Sequence, residues 1–386
     1  MAIIESSQNK RAICEADHLF ITARELREIP VPTPYYLFDE ATLVKGITEV
    51  RNAFSFCAQH YFPLRQCRHR RLLRLLREQG LSVFCTSPEE VQTALECGFS
   101  GEKILYGTMM AHRDIAAWLR ELDATLVLCS PLATPAVLPR RVWFRYHTEP
   151  QRRMSPSAAG QHRNFLGLDC REIIASWETV RHAGAETVGL SVPAGHTNQE
   201  KFLAAKAESL LQAIQKIRAE TDVPITHLDL GEGLYPEYER TKPQPDLDRA
   251  ASLLRETLSE TPYTCSLSLW KRMLEPGAIL VTSVLGTYAR DRQIMAVDVR
   301  PTQTTMEWMY QPRFVTVPGK ERTEGRMLCD VAGAGTDRKC LLARNRVIAP
   351  AEAGDLLVFQ DAACCVPPDG GAPCLFRDRE GRITAL

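Results

Sequence analysis

Residues 81–108, LSVFCTSPEEVQTALECGFSGEKILYGT, decide the fold of this chain. The stretch opens with one β-type run, LSVFCT, and closes with another, KILYGT, and the intervening SPEEVQTALECG has a helical pattern. The same order continues into the helical HRDIAAWLREL and the β-type ATLVLCS. Strands that alternate with helices predict a parallel sheet covered by helices.

The alternation extends in both directions from this stretch. Tyr35 to Phe38 forms a short apolar run upstream, and VWFRYHT, TVGLSVPAG and ITHLDLGEG follow downstream. Helical patterns lie near residues 171–182, 199–221 and 247–259. Six or more strand and helix repeats over roughly 250 residues favour a closed (β/α)8 barrel over an open sheet.

The pattern changes at about Ala278. Short β-type runs such as QIMAVDVRP, RFVTVPG and LLVFQDA follow, broken by Gly, Pro, Asp and Arg and without long helices. This pattern of short β-type runs predicts a second, mostly antiparallel β domain. We therefore predict an N-terminal segment, residues 1–33, that is part of the β domain, a barrel over 34–280 and a C-terminal β domain over 281–386.

Composition excludes several classes of protein. The 386 residues are 45% hydrophobic, and 47 Lys and Arg balance 47 Asp and Glu, which argues against disorder and against a nucleic-acid partner. No apolar run approaches the roughly 20 residues needed to cross a bilayer, so we expect a cytoplasmic protein with no membrane partner. The 13 cysteines are scattered and no C-x2-C pair occurs, which predicts reduced thiols and no metal site.

Six segments in a shared order carry a resemblance to a known family. They are TPYYLFD, SPEEVQTALECGF, LDLGEGL at 228–234, EPG at 275–277, CD at 329–330 and GDLLVFQDA at 354–362. The chain resembles the fold-type III pyridoxal-phosphate enzymes, especially the ornithine and diaminopimelate decarboxylases. The resemblance implies an α/β fold with an alanine-racemase-like TIM barrel, a homodimer and a small amino-acid-derived substrate.

The resemblance also shows a departure at the cofactor lysine. In the family a lysine in a Y-A-x-K-A-N pattern forms an imine with pyridoxal phosphate, and this pattern matches residues 62–67, FPLRQC. Arg65 takes the lysine position, or Leu64 if the match slips by one residue, and no lysine lies between Lys45 and Lys103. A guanidinium stays protonated and cannot form an imine, so we expect Arg65 to bind a phosphate or carboxylate instead. It could equally be a strand-end surface arginine.

Other family contacts to the cofactor are also changed. The His-x-His strand is matched by residues 191–193, SVP, and the arginine after EPG is Ala278. The phosphate-binding glycine loop is Gly231-Glu232-Gly233, and a late Gly-Ala-Tyr is matched by residues 363–365, ACC. Since the common element is the pyridoxal ring and its phosphate, we expect no cofactor, with pyridoxal phosphate as the alternative.

The remaining matches suggest a substrate site. Glu275 matches the acid that pairs with the pyridine nitrogen, although it could merely pair with Arg272. Cys329 and Asp330 match a pair contributed by the partner subunit, although Cys329 could be a buried apolar residue. The predicted catalytic residues are Cys329, Asp330, Glu275 and His196. The predicted substrate-binding residues are Arg65, Arg145, Glu90, Gly231, Glu232, Gly233 and Cys365.

Three functions remain open from the sequence. The first is a decarboxylase-like protein that acts without covalent pyridoxal phosphate on a small amino-acid-derived substrate in a biosynthetic pathway. The second is an active decarboxylase whose cofactor is held in an atypical way, by Lys103, Lys201 or Lys271 or without a covalent link. The third is a non-catalytic partner that dimerises with an active relative and regulates it.

Overall fold

The computed structural model describes residues 19–130, 135–147, 167–192, 197–237, 242–305, 314–320, 324–336, 338–367 and 371–386. Contacts divide the chain into two compact units. The first, here called the barrel unit, comprises Thr48–Pro236 and Gln244–Arg272. The second, here called the sheet unit, comprises Met1–Ile47, Glu237–Pro243 and Met273–Leu386.

Strands and helices, joined by loops, occur throughout the described residues. The strands are β1 (Tyr35–Asp39), β2 (Gln59–Pro63), β3 (Ser82–Cys85), β4 (Ile104–Thr108), β5 (Thr125–Leu128), β6 (Arg141–Arg145), β7 (Thr187–Ser191), β8 (Ile225–Glu232), β9 (Thr264–Ser268), β10 (Ala278–Ala289), β11 (Gln293–Val297), β12 (Val315–Thr316), β13 (Met327–Ala332), β14 (Leu341–Ile348), β15 (Leu356–Phe359), β16 (Cys374–Arg377) and β17 (Ile383–Ala385). The α-helices are α1 (Ala23–Glu28), α2 (Glu40–Ala53), α3 (Arg70–Glu78), α4 (Pro88–Glu96), α5 (Arg113–Glu121), α6 (Cys170–His182), α7 (Phe202–Arg218), α8 (Leu247–Leu258) and α9 (Trp270–Leu274). Single 3₁₀ turns lie at Leu64–Gln66, Gly101–Lys103, Glu275–Gly277, Arg338–Cys340 and Ala363–Cys365.

Strands β2 to β9 close into a parallel barrel, which confirms the predicted fold. The barrel closes where β9 pairs with β2 and His60 lies opposite Leu267. Most strand residues are apolar and buried, as in β5, because a parallel barrel is covered on its outer face by helices and filled by side chains inside. Helix α6 begins one residue before the predicted position and has an Asp169 capping box, in which the Asp169 side chain and the Glu172 side chain each accept the other residue's backbone N–H.

The sheet unit contains a nine-stranded sheet. Its main path runs β14-β13-β11-β10-β1-β16-β17, and β15 pairs with both β10 and β12. Most neighbours are antiparallel, as predicted, but β1 pairs in parallel with β16 and β11 pairs in parallel with β13. The C-terminal domain is therefore a mixed sheet.

Strand β1 belongs to this mixed sheet. We predicted that it lay within the barrel segment 34–280, but Tyr35 lies opposite Val281 of β10 and Tyr36 lies opposite Cys374 of β16. All five residues of β1 are buried. A strand that is buried on both faces carries no local signal about which sheet it joins, so the sequence pattern alone does not separate the two positions.

Because all eight barrel strands are parallel, their carboxyl ends meet at one end of the barrel. We call this end the barrel mouth. It is marked by the last residues of the strands: Pro63, Cys85, Thr108, Leu128, Arg145, Ser191, Glu232 and Ser268. Ligand groups gather at this end in barrels of this kind, so we expect the binding site here. None of the helices in the described residues is long and apolar enough to cross a membrane.

Candidate functional site at the barrel mouth

Asp229, near the end of β8, is the centre of a buried polar network. Its carboxylate accepts hydrogen bonds from the Tyr61 hydroxyl at 3.0 Å, the Ser191 hydroxyl at 2.6 Å and the Gly231 N–H at 3.0 Å. The Ser266 hydroxyl donates at 3.3 Å. Since these partners lie on β2, β7 and β9 as well as on β8, the carboxylate points into the barrel. Burial raises the pKa of Asp229, and these hydrogen bonds oppose the rise.

The network continues from Ser266 to His227. The Nε2 atom of His227 lies 3.0 Å from the Ser266 hydroxyl, and its Nδ1 atom lies 2.7 Å from the Thr264 hydroxyl. The imidazole stacks on the indole of Trp143, with ring centroids 4.5 Å apart and planes 11° apart. Burial lowers the pKa of His227 to about 4, so the ring is neutral at physiological pH.

The segment Gly231-Glu232-Gly233, predicted to bind the substrate, ends β8 at the mouth. Gly231 has a φ of +61°, a left-handed conformation that glycine adopts without steric cost. A Cβ atom on Gly233 would lie 3.2 Å from Cδ1 of Phe202, which is tighter than most real contacts. The Glu232 carboxylate accepts a hydrogen bond of 2.8 Å from the Tyr235 hydroxyl. The carboxylate is therefore oriented by Tyr235.

Arg145 ends β6 and is half-buried. Its Nε atom is buried and has no hydrogen-bond partner among the residues that the structure describes. The positive charge opposes the burial-driven rise in the pKa values of Tyr61 and Asp229. It also adds to the lowering of the Lys206 pKa, for which burial is the main cause. The guanidinium is therefore close to the Asp229 network and retains an unused donor.

Lys206, on α7, was not among the predicted site residues. Its Nζ atom is completely buried and donates hydrogen bonds to the Leu230 carbonyl at 2.8 Å and to the Glu232 carbonyl. Burial lowers its pKa to about 7, although the charges of Asp229 and Glu232 oppose the shift. A signal was present in the sequence: Lys206 lies four residues from Phe202 and from Leu210, on the buried face of the helix.

Lys271 is a second lysine at the mouth, and the sequence suggested it as a candidate. It lies on α9, three residues after the end of β9. Its Nζ atom is 4.5 Å from the ring centroid of Tyr235 and 5.7 Å from that of Trp270. Because the Tyr235 hydroxyl donates to Glu232, the Lys271 amine lies beside the glycine segment of β8.

Arg65 and Glu90 follow neighbouring strands at the mouth. Arg65 is exposed in the Leu64–Gln66 turn directly after β2. Glu90 is buried, and its carboxylate accepts the Thr86 N–H at 2.6 Å and lies 3.4 Å from the Arg68 guanidinium. Glu90 therefore connects the segments that follow β2 and β3. The predicted substrate contacts of both residues stay predictions.

The other predicted residues lie in the sheet unit or outside the described residues. Glu275 is buried and begins the Glu275–Gly277 turn. Cys329 is buried, and burial raises the pKa of its thiol to about 12, which disfavours a thiolate nucleophile. The Asp330 carboxylate accepts the Asn345 N–H at 2.8 Å, and the Cys365 carbonyl accepts the Tyr36 hydroxyl at 2.8 Å. Their roles stay predictions, and His196 lies outside the described residues.

The barrel mouth can thus bind an anion and hold protons. Arg145 offers an unused donor with a fixed positive charge. Asp229 and Glu232 are oriented carboxylates, and Lys206 and Lys271 are amines at the same end of the barrel. Within the described residues, no three His, Cys, Asp or Glu side chains are arranged as metal ligands.

Comparison with known proteins identifies the family. Residues 40–282 match the family described as pyridoxal-dependent decarboxylase, pyridoxal binding domain. The chain is 24% identical over 344 residues to Protein TabA of Pseudomonas amygdali pv. tabaci, covering 86% of this chain and 80% of that protein. It is 24% identical over 372 residues to diaminopimelate decarboxylase of Methanothermobacter thermautotrophicus, covering 89% and 85%.

Solved structures have the same fold. Diaminopimelate decarboxylase from Helicobacter pylori, complexed with L-lysine, superposes with a TM-score of 0.78 at 17% identity and covers 94% of this chain and 95% of that chain. Diaminopimelate decarboxylase from M. jannaschii, also in complex with L-lysine, superposes with a TM-score of 0.78 at 15% identity, covering 94% and 91%. At this identity the likeness is one of fold.

The family match corrects our expectation about the cofactor. We predicted no cofactor because Arg65 stands at the family's lysine position and four other contacts are changed. That prediction is wrong, because the matched family is a pyridoxal-binding one and its members are pyridoxal-dependent decarboxylases. The five changed positions are few compared with residues 40–282, over which the family matches. The match covers well over half of the chain, so this protein belongs to the pyridoxal-dependent decarboxylases of fold type III.

Proposed function

We propose that this chain is a pyridoxal-phosphate-dependent decarboxylase that acts on a small amino-acid-derived substrate and holds its cofactor at the barrel mouth in an atypical way. The observation that carries the proposal is the buried Nε atom of Arg145. Its buried Nε atom has no hydrogen-bond partner among the described residues, although it lies beside the Asp229 network and within the matched range. A buried donor without a partner is costly, and a bound anion would satisfy it.

The residues at the mouth fit pyridoxal phosphate by their chemistry. The Arg145 guanidinium suits a phosphate or carboxylate, and the left-handed Gly231 allows a close backbone approach. Two lysine amines lie at this end of the barrel, those of Lys206 and Lys271. The Glu232 carboxylate is unfavourable for binding a phosphate because both groups are negatively charged. Its hydrogen bond with the Tyr235 hydroxyl holds the carboxylate in one position. The atypical feature is therefore the position of the amine.

When bound, pyridoxal phosphate supplies an electron sink for the electrons released as the carboxyl group leaves the substrate. The chain's own residues bind the cofactor and substrate and orient them. Arg145 holds an anionic group, while the hydrogen bonds of Asp229 with Ser191 and Tyr61 keep the floor of the site rigid. Glu90 with Arg68 fixes the segments after β2 and β3, and Glu232 Oε2 accepts a hydrogen bond from the Tyr235 hydroxyl.

Two measurements on the purified chain test this proposal. Equilibrium dialysis with pyridoxal phosphate measures binding, and release of CO2 from diaminopimelate, lysine, ornithine and arginine measures the reaction. The relatives are named for diaminopimelate decarboxylation, which makes that substrate the first to test. We expect saturable cofactor binding and CO2 release from at least one of the four. The absence of binding would refute the proposal.

Substituting Arg145→Gln tests the carrying observation. Hydrogen bonds to charged groups contribute about 1.5–3 kcal/mol, so we expect the Kd for pyridoxal phosphate to rise roughly 10- to 100-fold. Arg140→Gln is the matched control, because Arg140 is exposed and directly precedes β6 at the opposite end of that strand. An unchanged Kd in Arg145→Gln would show that Arg145 does not contribute to cofactor binding.

A second candidate function is a non-catalytic partner of an active relative. The observation that favours it is Arg65, which is exposed after β2 and replaces the lysine that the resemblance places there. Co-purification with an active decarboxylase, together with no CO2 release by the isolated chain, would favour this function over the first.

A further inference from the structure

Two sulfur atoms are in contact at the place where the barrel closes. Cys57 lies two residues before β2, and Cys265 is the second residue of β9. Their Sγ atoms are 3.2 Å apart, although the two residues are 208 positions apart in the sequence. Both thiols are buried, and both residues belong to the barrel unit. Since they lie near the amino-terminal ends of these strands, the pair is at the end of the barrel away from the mouth.

The backbone holds the two cysteines side by side. The Ala58 N–H donates a hydrogen bond of 2.8 Å to the Cys265 carbonyl. Strand β2 then continues beside β9, with Gln59 opposite Ser266. A disulfide has an S–S distance of about 2.05 Å, so the sulfur atoms need to approach by only roughly 1 Å. The strands can stay paired while the bond forms.

The surroundings of the pair favour one thiolate beside one thiol. Once Cys265 loses its proton, the Cys57 S–H donates to its sulfur, which lowers the pKa of Cys265 and raises the pKa of Cys57. The positive charge of Arg255 opposes the rise at Cys57, and this guanidinium lies 4.9 Å from the ring centroid of the neighbouring Phe56. Because the thiolate is the form that reacts with oxidants, a thiol in contact with it is positioned to trap the oxidised sulfur.

We propose that Cys57 and Cys265 are a modification site at which hydrogen peroxide forms a reversible disulfide across the closure of the barrel. The Cys265 thiolate attacks one oxygen of the peroxide and displaces hydroxide, which leaves a sulfenic acid on Cys265. The Cys57 sulfur loses its proton and attacks the Cys265 sulfur, so that an S–S bond replaces the S–O bond and the oxygen leaves as water. In total, two thiols and one peroxide give one disulfide and two waters. Without the oxidant both thiols stay reduced.

The bond stabilises the folded barrel. It joins positions that are 208 residues apart, and a cross-link of this kind restricts the unfolded chain. Residues at this end of a parallel barrel serve stability, whereas those at the mouth bind ligands. We therefore expect the midpoint of thermal denaturation to rise by about 5–10 °C when the disulfide forms.

Peptide mapping and thermal denaturation of the full chain test the proposal. The chain is treated with a small molar excess of hydrogen peroxide, its free thiols are alkylated, and it is digested without reductant for mass spectrometry. We expect two peptides joined through Cys57 and Cys265, and a higher denaturation midpoint. Dithiothreitol, added before alkylation, should abolish the joined peptides and return the midpoint to that of the untreated chain.

Two variants separate this pair from the other cysteines. In Cys57→Ser we expect neither the joined peptides nor the rise in the midpoint. In Cys170→Ser both should persist, because Cys170 is a half-buried cysteine of the same unit that begins α6.

The map of the wild-type chain decides the outcome even if a variant does not fold. Treated wild-type chain without the joined peptides would overturn the proposal, whether the two thiols stay reduced or are oxidised singly. A disulfide between other cysteines in place of this one would overturn it as well. Joined peptides with an unchanged midpoint would confirm the site and refute its stabilising effect.

Discussion

His227 makes the stability of the chain depend on pH. Its pKa is lowered to about 4, below the ordinary value of 6.5, because the ring is buried against Trp143. Between pH 6.5 and 4 the unfolded chain therefore binds a proton that the folded chain does not. We expect the free energy of unfolding to fall over this range by at most about 3 kcal/mol from His227. Urea denaturation at pH 7 and pH 4.5 measures the change.

Two variants isolate the contribution of His227. His227→Gln keeps hydrogen-bonding groups beside Thr264 and Ser266 but removes the titration, so we expect a smaller loss of stability at low pH. Some loss persists because burial also lowers the pKa of His60 to about 4. His182→Gln is the control, since His182 is exposed. An equal loss in all three proteins would contradict the assignment.

Single residues also show what the sequence could tell about the site. Arg145 and the glycine segment were predicted from the resemblance, and both lie at the barrel mouth. Lys206 was missed because a lysine in a helix normally faces solvent, and only its spacing from Phe202 and Leu210 places it on the buried face. The hydrogen bonds of Asp229 join four strands that are far apart in sequence, so local patterns could not predict them.

Helix α6 depends on its N-terminal cap. The Asp169 carboxylate accepts the Glu172 N–H at 2.9 Å, and the Glu172 carboxylate accepts the Asp169 N–H at 2.9 Å. We expect Asp169→Ala to lower the free energy of unfolding by about 1 kcal/mol, because a helix N–H loses its partner. Asp169→Ser keeps an acceptor and should restore most of the loss. Urea denaturation measures both variants, and equal destabilisation would contradict the cap.

The positions of the strands and helices were predicted well, but the pairing of strands within the sheets was predicted less well. Alternating strands and helices identified the barrel because each parallel pair needs a helical connection, and this is a local pattern. Strand β1 has no such signal: its pairing with β10 and β16 depends on residues more than 200 positions away. The parallel pairing of β11 with β13 is similarly non-local.

Cofactor binding should stabilise the whole molecule. A ligand that binds only the folded chain adds about 2.7 kcal/mol to the free energy of unfolding at 100 times its Kd. We therefore expect the midpoint of thermal denaturation to rise with pyridoxal phosphate concentration. Inorganic phosphate at the same concentrations is the control and should give a smaller rise. A midpoint that does not respond to pyridoxal phosphate would contradict binding to the folded state.

The central position of β1 has a consequence for synthesis of the protein. Residues 35–39 are synthesised long before one neighbour of this strand in the sheet, β16, which begins only at Cys374. The barrel segment lies between β1 and β16 in the sequence, so it emerges before β16 and can fold while β1 still exposes unpaired backbone groups. Both neighbours of this strand exist only after β16 has been synthesised, which makes the nascent chain a natural client for chaperones during that interval.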